Sequence, residues 1–290
     1  MIGHKFCDPN KYSRNNALQY NFAMKLLRKI SFDKKSRVLD VGCGDGVITN
    51  EIAEIVHEGC VIGTDISEQM IEFASKKYMD QDNLRFLTMD GSRNIFREQF
   101  DVITSFNCLH WIKDQQNTLF GIEKSAAYGA QVVLLLSHKK SLYHLVLDKV
   151  CSSSKWKDYF IDFVSPRLFF DPHDYKEMIV KSGLEVVDLS EEEMTYSFKS
   201  KEQLKDFFSA AGSQIKQIPG NRKSEFLNDF VTEYLKKVVC SQEDLIPVSF
   251  WCLQVIATKP KPNLMKSADF DSRPSNDANS NMISFDINMV

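Results

Sequence analysis

The sequence of 290 residues lacks several features that would assign it to a class at once. Its seven cysteines are scattered and form no C-x-x-C pair, so we expect neither a disulfide framework nor a structural zinc site. A formal net charge of −3 leaves no basic excess for binding a phosphate backbone. The longest apolar run, Val132 to Leu136, is far shorter than the roughly 18 residues of a membrane span. These absences predict a cytoplasmic protein that binds no metal, nucleic acid or membrane.

The end of the chain lacks any sustained hydrophobic period. Residues 260–290 are rich in Asn, Ser and Asp, which predicts a disordered tail. The rest divides by pattern into an N-terminal helical lid segment (1–35), a core (36–137) and a region that adds further strands and a helical cap (138–259).

A glycine-rich turn between an apolar strand and a helical pattern stands out in what is present. The stretch runs from Val38 to Gly46 and carries glycines at 42, 44 and 46. Glycine adopts positive φ without strain and lets a ligand approach the backbone closely. A second apolar run ends on Asp65, which is where an acid binds ribose hydroxyls in nucleotide-binding sheets. Together these signals predict a site for a nucleoside-containing cofactor.

The spacing of the glycines distinguishes between cofactors. Dinucleotide sites have the order G-x-G-x-x-G, whereas this chain has G-x-G-x-G. Asp40 and Asp45 flank the turn, where two carboxylates would repel a pyrophosphate and suit a cofactor with a cationic end.

The motif Asp40-x-Gly42-x-Gly44-x-Gly46 resembles that of the class I S-adenosylmethionine-dependent methyltransferases. The resemblance implies a doubly wound, seven-stranded Rossmann-like α/β sheet with a helical cap. It also implies that Asp65 binds the ribose, that Ile66 and Met70 flank the adenine, and that Asp90 accepts its amino group unless it only forms a turn. The implied cofactor contacts are Asp40, Gly42, Gly44, Asp65, Ile66, Met70, Asp90, Gly91 and, through its backbone carbonyl, Asn107.

Alternation of apolar runs and amphipathic stretches predicts the elements of that fold. Helix 15–30 precedes the sheet, residues 138–182 form an aromatic lid, and residues 200–239 form two or three helices broken at Pro219-Gly220. The predicted strands are 36–41, 60–65, 84–89, 100–106, 130–136, 184–189 and 248–258, and the predicted core helices are 45–56, 67–79, 113–127 and 172–182.

The residues after the fourth predicted strand indicate which kind of molecule accepts the methyl group. The Asn/Asp-Pro-Pro-Tyr/Phe box of enzymes that methylate bases or amides is missing there, and Cys108 lacks the setting of a cysteine nucleophile. Instead, Leu109-His110-Trp111 is similar to the trans-aconitate and juvenile-hormone-acid methyltransferases, which esterify carboxylic acids. The segment from Tyr12 to Gln19 resembles the N-terminal helix of the latter, and the strand and helices from Met194 to Tyr234 resemble its cap.

A carboxylate suits this interpretation chemically. It is an anion at neutral pH and needs no general base to attack a sulfonium methyl. Gln19 and Trp111 are candidate catalytic residues that donate N–H groups to its two oxygens, and Tyr12 is a candidate substrate contact that closes over the site. Alternatively, Trp111 is a core aromatic and Gln19 faces solvent.

Other interpretations stay open. His110 is a third catalytic candidate, as the base of a small-molecule O- or N-methyltransferase, or it is a structural residue. The acceptor could also be an acid carried by a carrier protein. A further alternative is an effector or regulatory protein of this fold that acts on a protein partner. Aromatic lid residues predict an apolar pocket with Lys139, Lys140 and Arg167 as basic contacts. The turn at Ala126 to Ala130 departs from the usual Lys/Arg-Pro-Gly-Gly, so a relative's substrate does not transfer. We expect a monomer or weak dimer.

Overall fold

A single seven-stranded sheet organises the computed structural model, which describes residues 8–239 and 245–262. Its strand order is β3-β2-β1-β4-β5-β7-β6. The first five strands are parallel, and β7 runs antiparallel between β5 and β6. The strands are β1 (Arg37–Val41), β2 (Cys60–Asp65), β3 (Leu84–Thr88), β4 (Phe100–Phe106), β5 (Ala126–Ser137), β6 (Glu185–Phe198) and β7 (Ile246–Thr258). This confirms the predicted seven-stranded α/β fold. The predicted disordered tail lies, beyond residue 262, outside the described residues.

The helices follow the predicted order with one break. Where the sequence predicts one helix over 15–30, the structure has α1 and α2, because Asn15 and Asn16 leave the helical conformation and Asp8 caps a separate first helix. The helices are α1 (Pro9–Arg14), α2 (Ala17–Leu27), α3 (Val47–Ile55), α4 (Glu68–Lys77), α5 (Gln115–Ser125), α6 (Leu142–Cys151), α7 (Pro172–Lys181), α8 (Lys201–Ala211) and α9 (Lys223–Leu235).

Strand β6 is longer than the sequence predicts, and this corrects the expected cap strand near Met194. The strand pairs with β7 from Glu185 opposite Thr258 to Phe198 opposite Ile246. As an edge strand it has exposed charged positions between half-buried ones, so the apolar alternation that predicts a strand at 184–189 fades while the pairing continues. The segment around Met194 is therefore part of the main sheet.

Both faces of the sheet are covered, as a parallel sheet requires. On one face, side chains of α2, α3, α6, α8 and α9 join one apolar cluster with residues 156–160. On the other, α5 and α7 pack in a second cluster. The helical cap, formed by α6, residues 157–170, α8 and α9, lies on the first face. No helix in the described ranges is long and apolar enough to cross a bilayer.

Candidate functional site

The glycine turn after β1 is held in a shape that only glycine allows. Gly42, Gly44 and Gly46 have φ values of 80°, 56° and 78°, all in the left-handed region. A Cβ on Gly42 would lie 2.0 Å from the Sγ of Cys108. The N–H groups of Gly42 and Cys43 both donate to the carbonyl of Thr64, at 2.7 and 2.9 Å. The turn is therefore fixed to the end of β2 and approached closely by the loop after β4.

Asp65 lies where β2 ends and is oriented by backbone donors. The N–H of Gly44 donates to Oδ2 at 3.1 Å, and the N–H of Ser67 donates to Oδ1 at 2.9 Å. Ser67 also caps α4, because its hydroxyl accepts from the N–H of Met70. One carboxylate thus connects the glycine turn to the start of the next helix.

A cavity of about 490 Å³, here the loop cavity, opens at the carboxyl ends of β1, β2 and β4. This edge is where doubly wound sheets bind ligands. The structure brings together there every expected cofactor contact except Asp40, namely Gly42, Gly44, Asp65, Ile66, Met70, Asp90, Gly91 and Asn107.

Asp40 and Asp45 do not line the loop cavity, which corrects the expectation that they face a cationic cofactor. Asp40 is buried behind the turn, where its carboxylate accepts from the hydroxyls of Thr49 (2.7 Å) and Thr104 (2.8 Å). Burial raises the pKa of Asp40 to about 6. Asp45 accepts from the amide of Asn16 at 2.9 Å, at the start of α2. Asp40 therefore supports the turn from behind, and Asp45 connects the turn to the start of α2.

Asp90 forms the turn that is one of its two predicted roles, and it also lies at the cavity where the other role would place it. Its Oδ1 accepts from the N–H of Ser92 at 2.9 Å and from the Ser92 hydroxyl at 2.8 Å, which forms the turn. The same residue lines the loop cavity. Its other oxygen, Oδ2, takes no part in these two bonds.

A narrow cavity of about 50 Å³, here the waist cavity, adjoins the loop cavity. The two share Tyr12, Asn107 and Trp111 as walls. All the expected catalytic and substrate residues line the waist cavity, together with one cation, so that the set is Tyr12, Gln19, His110, Trp111 and Arg167.

Two buried polar atoms around the waist cavity lack a partner within the described residues. These are Oε1 of Gln19 and Nδ2 of Asn107. Buried side-chain polar atoms are rarely left unpaired, so each indicates a bound ligand or water. Gln19 therefore does not face solvent. Asn107, expected to act through its backbone, has an unpaired amide and an unusual φ of 56°.

Arg167 is one of the three basic residues that the sequence assigns to the lid, and the structure distinguishes it from Lys139 and Lys140 by placing it at the waist cavity. Its guanidinium carbon lies 4.4 Å from the centre of the Trp111 ring, and its Nη1 lies 3.0 Å from Nε2 of His144. A guanidinium only donates, so His144 accepts here and is neutral. Burial and the nearby Arg167 hold the pKa of His144 well below its usual value.

No carboxylate in the described part of the chain pairs with Arg167. Burial lowers its pKa to about 10, which still leaves the guanidinium charged at neutral pH. In contrast, Lys140 pairs with Glu191 at 2.8 Å. The waist cavity therefore holds a half-buried positive charge that no carboxylate of the described residues neutralises.

His110 is buried and bonded in a way that does not suit a base. The N–H of Ser137 donates to its Nδ1 at 3.2 Å, so the neutral ring carries its proton on Nε2. Burial, with a smaller effect of Arg167, holds its pKa well below the usual value. The lone pair that a general base needs is already engaged, which favours a structural role for this residue.

Cys108 lines the loop cavity but is not suited to be a nucleophile. Burial and the charges of Asp65 and Asp40 raise the pKa of its thiol. The reactive thiolate is therefore disfavoured at neutral pH, as its sequence context predicts. The five cysteines in the described ranges are free thiols, and no group of metal-ligating side chains is found in those ranges.

The sheet, the glycine turn and the acid at the end of β2 define a class I methyltransferase, and the chain is an S-adenosylmethionine-dependent enzyme of that class. A family model described as a methyltransferase domain matches residues 38–124. A protein of Invertebrate iridescent virus 6 named as methyltransferase 235L is 27% identical over 223 residues, which cover 77% of this chain and 83% of the viral protein.

Two further comparisons extend beyond the core. Juvenile hormone acid O-methyltransferase of Bombyx mori is 26% identical over 242 residues, covering 78% of this chain and 84% of that enzyme. A structure of Haemonchus contortus phosphoethanolamine N-methyltransferase 2 with S-adenosylhomocysteine is 18% identical, with a TM-score of 0.57, and covers 87% of this chain and 57% of that one. The similarity to the Haemonchus contortus structure shows the fold alone.

Proposed function

We propose that the protein transfers a methyl group from S-adenosylmethionine to the carboxylate of a small acceptor and releases a methyl ester. The observation that carries this proposal is Arg167, a half-buried guanidinium at the waist cavity that the described residues leave without a carboxylate. An unpaired buried charge is costly, and an anionic acceptor would compensate it. A neutral alcohol or a cationic amine would not.

The loop cavity fits the cofactor. Asp65 would accept from the ribose hydroxyls, Ile66 and Met70 would contact the adenine, and Asp90 would accept from its amino group through Oδ2. When bound, S-adenosylmethionine supplies an electrophilic methyl on a sulfonium. The volume of about 490 Å³ lies within the range of roughly 300–1,000 Å³ that is usual for such sites.

A carboxylate needs orientation more than activation. Carboxylic acids have an ordinary pKa of about 4 and are anions at neutral pH, so no proton has to be removed. This agrees with a site whose histidine has its Nδ1 lone pair engaged and whose cysteine has a raised pKa. Such an acceptor would approach from the waist cavity, because Tyr12, Asn107 and Trp111 separate that cavity from the loop cavity.

The donors around the waist cavity suit two carboxylate oxygens. The unpaired amide of Asn107 can donate to one oxygen, and Arg167 supplies charge and further N–H groups. Gln19 can contribute its amide, since the oxygen and nitrogen of such a group exchange by rotation. Trp111 forms the wall on which the guanidinium lies. We infer that the waist holds the acceptor by one cation and amide donors, rather than by neutral donors alone.

The relatives support the same acceptor. The Bombyx mori enzyme is named for methylating an oxygen of juvenile hormone acid. No observation in the site favours the alternative with His110 as a base, because the Nδ1 of that ring already accepts a backbone N–H.

The test is a methylation assay with radiolabelled S-adenosylmethionine and matched acceptors of equal length, such as octanoate, 1-octanol and octylamine. We expect base-labile, solvent-extractable label with octanoate alone. Arg167→Gln should abolish it, whereas Lys140→Gln, which changes a lid cation already paired with Glu191, should retain it. Label in the alcohol or amine that survives Arg167→Gln would refute the proposal.

A further inference from the structure

A third cavity, here the lid cavity, lies beyond the waist cavity and has a volume of about 350 Å³. It lies between α6, residues 160–169 and the end of α8. The lid and waist cavities share Arg167, Phe207 and Phe250 as walls. The methyl transfer described above makes no use of this space.

The inner wall of the lid cavity is apolar. Tyr143, Leu147, Phe207 and Phe250 are buried side chains of the main core, and Phe160, Phe163 and Phe169 close the cavity from the lid segment. The ring centres of Tyr143 and Phe207 lie 6.1 Å apart and those of Tyr143 and Phe250 lie 4.8 Å apart, so the wall is a packed aromatic surface.

Charge is distributed unequally around this cavity. Its charged lining residues are Lys139, Asp148 and Arg167. The first two are exposed and form the rim, whereas Arg167 is half-buried at the wall shared with the waist. The cavity thus has one half-buried cation at its inner end and none along its apolar wall. Ser165, Ser213 and Gln214 belong to its uncharged polar lining, and Lys139 at the rim is exposed. A second carboxylate along the apolar wall would therefore lose hydration without gaining a cation as its partner.

We propose that the lid cavity holds an apolar body of the acceptor, so that the acceptor is an amphipathic monocarboxylic acid rather than a di- or tricarboxylate. This inference rests on the proposed function, because it places the carboxylate at Arg167. The waist, at about 50 Å³, has room for little more than the head group. The lid cavity, at about 350 Å³, has the size of a ligand site.

Calorimetric titration of the protein saturated with S-adenosylhomocysteine tests this directly. The ligands are acetate, octanoate, 1-octanol and octanedioate. Each methylene that enters the cavity should tighten binding by about two- to fourfold. We expect octanoate to bind at least 30-fold more tightly than acetate and at least tenfold more tightly than octanedioate, while 1-octanol retains part of the gain from the tail.

A larger side chain that fills the lid cavity should remove the affinity that octanoate gains from its tail. Cys151 is a small residue of its lining, so Cys151→Phe should weaken octanoate at least tenfold and leave acetate and S-adenosylhomocysteine unchanged. Phe163→Trp is a second filling variant from the other wall, for use if the first does not bind S-adenosylhomocysteine. Ile161→Ala is the matched control, because Ile161 lies in the same segment but is 77% exposed.

The outcomes separate this inference from the proposed function. Equal affinity for acetate and octanoate, or undiminished octanoate binding in both filling variants, would overturn the lid cavity as a tail site. Binding that depends on the tail, without formation of octanoate methyl ester, would refute the proposed function and retain the site. Formation of methyl esters from acids regardless of tail length would support the proposed function and refute the lid cavity as a tail site.

Discussion

The loop cavity and the waist cavity adjoin each other but are built in different ways. The loop cavity is shaped largely by backbone: three glycines with positive φ, two N–H groups bonded to Thr64, and an acid held by two further N–H groups. The waist is shaped by side chains from α1, α2, the loop after β4 and the lid. Backbone sites depend on local sequence, whereas side-chain sites depend on how distant segments pack.

This difference predicts that the two cavities can be disabled separately. The largest effect is expected at the waist. Arg167→Gln removes a half-buried cation that would face an anionic acceptor, and losing one partner of an ion pair costs up to about 3–5 kcal/mol when the pair is fully buried. We expect kcat/KM for the carboxylate to fall by about 10²- to 10³-fold. Calorimetry should show unchanged affinity for S-adenosylhomocysteine. A parallel loss of cofactor affinity would mean that the two cavities are not independent.

The reciprocal change is at Asp65, where we expect the next largest effect. Asp65→Asn keeps the shape of the side chain but removes its charge. It would therefore weaken the two hydrogen bonds that the ribose hydroxyls would donate to the carboxylate, each worth about 1.5–3 kcal/mol. Affinity for S-adenosylhomocysteine should fall by about 10- to 100-fold.

The control for Asp65→Asn is the binding of a ligand with an apolar tail to the lid cavity. Octanol binding at the lid cavity should persist in this variant when measured without S-adenosylhomocysteine. Loss of both ligands would indicate that the substitution disturbs the fold rather than the loop cavity alone.

The contrast between the cavities also explains what the sequence could predict. The glycine turn and Asp65 follow consecutive strands, so motif spacing locates them, and the structure places both at the loop cavity. Asp40 belongs to the same motif, yet its side chain points behind the turn, because alternate residues of a strand face opposite sides. Local pattern therefore locates the turn but not the direction of each side chain.

The waist residues could be predicted only in part. A family resemblance indicates Gln19 and Trp111, and it implies only a backbone role for Asn107, whereas the structure shows that the side-chain amide of Asn107 is unpaired. Arg167 has no sequence signal that distinguishes it from Lys139 or Lys140. Its importance follows from burial and from the lack of a carboxylate partner within the described residues, which are tertiary properties. The length of β6 cannot be predicted from the sequence for a similar reason, since an edge strand can pair without an apolar alternation.

An effect of intermediate size is expected from substitutions of His144, the residue that positions Arg167. His144 accepts from the guanidinium at 3.0 Å without neutralising it. His144→Gln keeps a neutral acceptor and should change the acceptor KM by less than about threefold, whereas His144→Glu supplies a carboxylate that pairs with Arg167 and should raise KM by about tenfold or more. Steady-state kinetics separate the two, with kcat less affected than KM.

A role of His144 in packing alone predicts a different pattern. Both substitutions would then lower thermal stability and activity to a similar extent, since both replace the imidazole that contacts the Phe169 ring. Rescue by Gln and not by Glu is the result that assigns the positioning role.

The smallest effect is expected behind the glycine turn, at Asp40, and concerns stability. Its pKa is about 6 in the folded protein, against about 3.9 in an unfolded chain, because burial disfavours the carboxylate. Between these values the folded state binds the extra proton. The contribution of Asp40 to stability is therefore largest at low pH and declines as the pH rises through about 6. At neutral pH the buried charge destabilises the fold by up to about 3 kcal/mol.

Asp40→Asn removes that charge and leaves an amide that can bond Thr49 and Thr104, whose hydroxyls can donate or accept. Denaturant titrations should show the variant more stable than the wild type by about 1–2 kcal/mol at pH 7, with the difference disappearing towards pH 4. Affinity for S-adenosylhomocysteine should change by less than about threefold, because the side chain does not line the loop cavity. A large loss of affinity with no gain in stability would return Asp40 to direct cofactor contact and show that the backbone turn alone does not make the site.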